Sequence, residues 1–272
     1  MNVVFNFSAQ DEKPLSSSAS SRRDSVSAST GTDTAGSTEE TADLHASSDS
    51  YAARFGGKTG EWMLGIQEKA LLSMLGSETQ TVLDIGGGHG QTALPLASAN
   101  KSVTVLGSSA ACGERLAPHL ATGFISFNVG NLLDTPYRDR SFDTVVSVRL
   151  LSHSVAWRSL VSEMCRVAHH SVVVDYPVWL SINLLSPALF AVKRRIEGNT
   201  RTFKLFSGME VAREFKKHGF VKQRVVRQFF FPMALHRTVN NITASRLLER
   251  AASLCGLTRL FGSPVIIKFV RK

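Results

Sequence analysis

The short run Asp84-Ile85-Gly86-Gly87-Gly88-His89-Gly90 holds the residues of this chain best suited to cradling a cofactor. Glycines let a backbone approach a bound molecule without an intervening Cβ, and amide groups at the start of a following helix can meet an anion. An acid ahead of the glycines offers acceptors to a cationic group. Spacing separates two kinds of cradle. A dinucleotide fingerprint, GxGxxG counted from Gly86 and Gly88, needs a third glycine at position 91, which is Gln91. The pattern present is acid-x-Gly-x-Gly-x-Gly over Asp84, Gly86, Gly88 and Gly90. His153 and Asp175 are candidate proton acceptors, the first because histidine titrates near neutrality. Cys112, Cys165 and Cys255 lie far apart without CxxC spacing. No metal site is expected from them, and a reducing, cytoplasmic setting is.

These residues need elements to position them. Thr81 to Ile85 reads as an apolar strand that runs straight into the glycines, with QTALPLA as a helix behind them. An amphipathic helix over Glu61 to Leu75 precedes this unit. Further strands are predicted over 102–106, 124–128, 143–148 and 171–176, with a helix from about Ala156 to Val167. Strands alternating with helices imply an α/β, Rossmann-like, doubly wound sheet with helices on both faces. Sites in such sheets lie beyond the carboxyl ends of the strands, where Gly86, Ser108, Asn131, Arg149, His153, Asp175 and Tyr176 converge.

The glycine turn resembles motif I of the class I S-adenosylmethionine-dependent methyltransferases. The resemblance implies a seven-stranded, mostly parallel sheet, S-adenosylmethionine as cofactor, and methyl transfer. Asp84 would accept from the ammonium end of the cofactor, with Gly86, Gly87, Gly88 and Gly90 beside its methionyl part. Many members hold the ribose hydroxyls with an acid at the end of the second strand. Here that strand ends in Gly107, Ser108 and Ser109, so the contact passes to the Ser108 hydroxyl, a neutral bond in place of a charge-assisted one. Gly130 to Tyr137 resembles the family's adenine-binding stretch, with Asn131 in the adenine-contacting position and the Leu132 amide next to it. SFDTVVSVRLLSHS resembles the fourth strand and its loop, which turns Arg149 and His153 toward the cofactor cleft. His153 and Asp175 compete as the catalytic base, although in-line placement of an activated donor can suffice without one.

Composition divides the rest of the chain. Residues 1–50 carry three basic and eight acidic side chains and few large apolar ones, as expected of a disordered Ser/Thr-rich tail with no export signal. Residues 51–272 are expected to form the domain, with 51–177 as the cofactor-binding core and 178–272 as a basic C-terminal part carrying eighteen basic against four acidic residues. In that part Leu184 to Ile196 reads as an inserted helical lid, Met209 to Gly219 as a helix, 220–231 as a strand, SRLLERAASLCG as a helix, and SPVIIKFV as the last strand. No stretch reaches the ~18 apolar residues of a membrane span. Trp179, Leu180, Leu184, Leu185, Leu189 and Phe190 suggest a small hydrophobic or amphiphilic acceptor. The basic C-terminal part raises RNA as the alternative, and the missing second-strand acid a non-catalytic domain. The acceptor's identity and the oligomeric state are not legible.

Overall fold

The computed structural model describes residues 41–181 and 204–272 of the 272-residue chain. Seven strands form one sheet in the order β3-β2-β1-β4-β5-β7-β6. They are β1 (Thr81–Ile85), β2 (Ser102–Gly107), β3 (Ile125–Val129), β4 (Phe142–Ser147), β5 (Ala168–Tyr176), β6 (Phe220–Arg227) and β7 (Val265–Arg271). The first five pair in parallel, and β7 inserts antiparallel between β5 and β6. This is the doubly wound, mostly parallel sheet expected from the sequence.

The apolar strand runs explain why the sheet is covered on both faces. Side chains alternate across a strand, and here they separate into two apolar clusters. Leu83, Ile85, Val145, Val172 and Val174 join one cluster, which also holds Leu160, Val161 and Met164 of helix α6 (Trp157–Val167). Val82, Val103, Val105, Val146 and Val173 join the other, with Ala70 and Leu71 of α3 (Gly57–Leu72) and Ala93 and Leu96 of α4 (Ala93–Ser98). A strand buried on both sides has no polar positions, which accounts for runs such as Val172-Val173-Val174.

Several boundaries differ from the sequence reading. Folded structure begins before residue 51, because α1 (Ala42–Ala46) and α2 (Asp49–Ala53) lie within the span read as tail, and Ala42, Asp43 and Ala46 of α1 are buried. The strand expected to run to Phe231 ends at Arg227. Beyond it, the Glu249 carboxylate accepts from the Phe230 and Phe231 amides, 2.9 Å each, and lies 3.0 Å from His236 Nε2. These bonds draw the chain off the sheet and into α8 (Met233–Val239), a helix the sequence reading missed. Helix α7 (Gly208–Lys217) follows the expected span closely, and α9 (Ile242–Leu254) starts three residues before the helix expected at Ser245–Gly256 and ends two before its end. The predicted lid, Leu184 to Ile196, lies outside the described residues. Its flanking stems are pinned together by a Val178–Phe206 bridge, with Trp179 N–H donating to the Phe206 carbonyl at 3.0 Å. Among the described residues no helix is long and apolar enough to cross a membrane.

Candidate active site

The carboxyl ends of β1, β2, β4 and β5 gather the predicted residues. The β1 chain leaves the sheet at Gly86, whose amide donates to the Leu106 carbonyl at 2.8 Å, and turns back where the Gly90 amide meets the Gly87 carbonyl at 2.9 Å. A Cβ at position 88 would lie 2.0 Å from the Cys112 carbonyl oxygen, so only glycine fits there. Asp84 is fully buried and packs against Gly87. Neither of its oxygens has a hydrogen-bond partner among the described residues. Burial pushes its carboxyl up to about 8, so the group is neutral at physiological pH until a cation arrives. His89, inside the turn, accepts from the Gln91 amide through Nδ1 at 3.0 Å. Burial, reinforced by the charge of Arg149, lowers its pKa to about 3 and keeps it neutral.

At the end of β2 the serine expected to face the ribose is already engaged. Ser108 donates to Asp43 of α1 twice, from its amide at 2.8 Å and its hydroxyl at 2.6 Å. Sequence reasoning missed Asp43 because it lies 65 residues away in a segment of polar composition. Asn131 accepts from the Leu133 amide at 2.9 Å, an Asx turn that shapes the loop after β3, and Leu132 is buried in the same apolar cluster as Leu106 and Leu150. That loop is held by a second missed residue, Glu163 of α6, which accepts from both the amide and the hydroxyl of Thr135 at 2.7 Å.

Beyond β4 and β5 the predicted residues separate in role. Arg149 adopts φ +64°, a left-handed conformation that costs a non-glycine residue of order 1 kcal/mol or more. Its amide donates to Asp175 Oδ1 at 2.5 Å, its guanidinium donates to Gln67 of α3 at 2.5 Å, and it sits 4.0 Å from the Phe55 ring centroid. These contacts fasten the loop after β4 to the N-terminal helices, so Arg149 acts here as a structural tie. Asp175 is buried, and burial pushes its carboxyl up to about 6 against the pull of the Arg149 amide. His153 is half-buried on the same loop, its amide on the Leu150 carbonyl at 2.9 Å. A separate group, Asp143, His169 and His170, brings its ligand atoms within 4.8 Å of one another. It belongs to the opposite strand ends, where Asp143 ties β4 to β1 through the Gln80 and Thr81 amides, each at 2.9 Å.

Residues 82–171 match the family model described as a methyltransferase domain. That matched third of the chain, with the strand order around it, is similar to the class I S-adenosylmethionine-dependent methyltransferases. Solved structures share the fold. Magnesium protoporphyrin IX methyltransferase from Synechocystis, with bound S-adenosylhomocysteine, superposes with a TM-score of 0.56 at 15% identity, over 82% of this chain and 93% of that one. The complex of the Haloferax volcanii Trm112 methyltransferase activator with a putative methyltransferase gives 0.57 at 20%, over 82% and 94%. Geranyl diphosphate C-methyltransferase from Streptomyces coelicolor, with Mg2+, geranyl diphosphate and S-adenosylhomocysteine, gives 0.54 at 19%, over 76% and 79%. The orphaned Asp84 carboxyl fits the cofactor that the glycine turn implies, because the ammonium group of S-adenosylmethionine would satisfy a buried acid that has no partner among the described residues.

Proposed function

We propose that this methyltransferase acts on a small hydrophobic or amphiphilic acceptor. One observation carries the reading. Trp179 and Leu180, each 59% exposed, directly follow the strand whose end bears Asp175 and Tyr176, so apolar surface stands open beside the cleft where an acceptor must enter. Of the described basic residues, Lys222 and Arg224 lie on β6, the edge strand three places from β4. Positive charge there favours RNA recognition at the cleft less than it favours a solvated sheet edge.

In this reading Asp84 holds the ammonium end of the cofactor and Gly86, Gly87, Gly88 and Gly90 line its methionyl part. Asn131 and Leu132 flank the adenine. S-adenosylmethionine supplies a methyl group already activated on a sulfonium, so the protein's main task is placement. His153 accepts the proton of a hydroxyl or acidic carbon acceptor, since histidine is the side-chain type suited to proton transfer near neutrality. Asp175 is a positioning residue that holds the Arg149 amide and so fixes the loop carrying His153. The core within 51–272 supplies the cofactor site, and Trp179 and Leu180, after residue 177, border the acceptor.

The test is a calorimetric titration of the full chain with S-adenosylmethionine and, separately, NAD, followed by a methyl-transfer screen of phenols, quinones and lipids against short RNAs. Micromolar binding of S-adenosylmethionine alone and labelling of an apolar acceptor are expected. Labelling of RNA with a steep loss on added salt would replace the acceptor assignment. Absence of any cofactor binding would make this a non-catalytic member.

A further inference from the structure

We propose that helix α1 is an internal occupant of the cofactor cradle, and that Asp43 sets the apparent affinity for S-adenosylmethionine by holding the ribose corner at the end of β2. This rests on the reading of that cradle given above.

The contacts of α1 fall on the positions that reading assigns to the cofactor. Asp43 Oδ1 accepts from the Ser108 hydroxyl, while Oδ2 accepts from the Ser108 amide and lies 3.3 Å from Cys112 Sγ. The Asp43 Cβ lies 3.3 Å from where a Cβ on Gly86 would stand, and Ser47 Oγ 2.8 Å from the same point at Gly88. Ala42 is 3% exposed and belongs to one apolar cluster with Ile85, Leu106, Leu132 and Leu150. The next turn is anchored too, with Arg115 Nε donating to the Ser47 carbonyl at 3.3 Å and the Arg115 guanidinium paired with Asp49.

A carboxylate in this corner has two readings. It could serve as the acid that β2 lacks, offering acceptors to the ribose hydroxyls. It could equally stand in the place of the ribose. Packing decides between them: an acid that awaits a diol must face an opening, whereas Asp43 has no exposed surface and both oxygens engaged. Its neighbour Ala42 fills the apolar side of the same corner. The cofactor therefore binds only the fraction of molecules from which α1 has lifted, and its apparent affinity falls by that fraction.

The experiment titrates the full-length protein with S-adenosylhomocysteine by calorimetry, comparing the parent chain with Asp43→Ala and with Ala46→Glu, which undocks α1 while keeping Asp43. Amide hydrogen exchange over residues 41–47 of the parent chain is followed with and without the ligand. Both variants are expected to bind about tenfold more tightly, and saturation of the parent is expected to deprotect α1. Weaker binding by the variants, or equal affinities with α1 protection unchanged, would overturn the proposal alone. Should none of the three proteins bind, the cradle reading itself falls. If either variant fails to fold, the exchange measurement on the parent chain still decides.

Discussion

A fully buried acid stands at the carboxyl end of each of β1 and β2, Asp84 from the strand itself and Asp43 from α1, and the two differ in every partner. Asp84 has no hydrogen bond among the described residues, while both oxygens of Asp43 are satisfied by Ser108. A buried acid without partners is costly and is retained where a ligand will supply the missing charge. A buried acid with all its partners shows that the chain has already filled the place. On the proposed reading, the methionyl corner of the cradle holds the unpaired acid and the ribose corner the paired one.

The largest effect expected from breaking this arrangement is at the glycine turn. Gly88→Val drives a side chain into the Cys112 carbonyl, which a Cβ would approach to 2.0 Å. A stability loss of about 3 kcal/mol or more and abolished cofactor binding are expected. Gly90→Ala is the control. Gly90 has φ +74°, but its Cβ position is open to 3.5 Å, so only backbone strain of about 1 kcal/mol is added. Urea unfolding with parallel calorimetry separates the two, and equal losses would mean that the close approach at Gly88 is relieved elsewhere.

Asp84 comes next. Its raised carboxyl, at about 8, is protonated in the cofactor-free protein at neutral pH and must ionise to meet an ammonium. Binding should therefore release a proton, and affinity should rise up to about tenfold per pH unit toward pH 8. Calorimetry in buffers of different ionisation enthalpy detects the proton directly. Asp84→Asn removes the slope and weakens binding by about 10–100-fold, the worth of a charge-assisted bond. The same group has the opposite sign for folding. Because the folded acid keeps its proton while the unfolded one loses it near pH 4, its contribution to stability falls as pH rises from about 4 to about 8 and is flat above. A pH-independent unfolding free energy would show that Asp84 is solvated in the cofactor-free protein.

What was legible in the sequence follows from range. The β1 strand, the glycine turn and the valine runs are local patterns, and each was read with small boundary errors. The two-cluster core follows from the same strands, because a residue buried on either face has only one type of substitute. Asp43, Glu163 and Gln67 were not legible, since each acts on a residue distant in the chain through one or two hydrogen bonds and has no spacing to betray it. Helix α1 is hidden for a further reason. It buries Ala42 and Ala46, side chains too small to register as a hydrophobic stripe in a segment dominated by Ser, Thr and Asp.

A smaller effect is expected at Asp175, where the carboxylate holds a left-handed Arg149. Asp175→Asn keeps an acceptor for the amide, whereas Asp175→Ala releases it at a cost of about 1–3 kcal/mol. Burial raises the Asp175 carboxyl to about 6, so its share of stability also declines as pH climbs from about 4 to about 6, and the Asn variant should flatten that interval. If the loop carries the base, Asp175→Ala should lower kcat more than it raises KM, and Asn should restore most of the loss. A change confined to KM would place Asp175 in acceptor binding instead.

The smallest and most discriminating change is Ser108→Ala. It deletes the hydroxyl bond to Asp43, 2.6 Å long, and leaves the amide bond in place. If Ser108 served the ribose, its loss would weaken cofactor binding. If it mainly holds α1 down, the loss frees the cradle, and affinity should improve by about two- to fivefold, less than the gain from Asp43→Ala because one of two bonds survives. Combining Ser108→Ala with Asp43→Ala should then add nothing, since both act on the same contact. An additive double variant would mean that serine and acid meet the cofactor separately, and that α1 closes the site without competing for it.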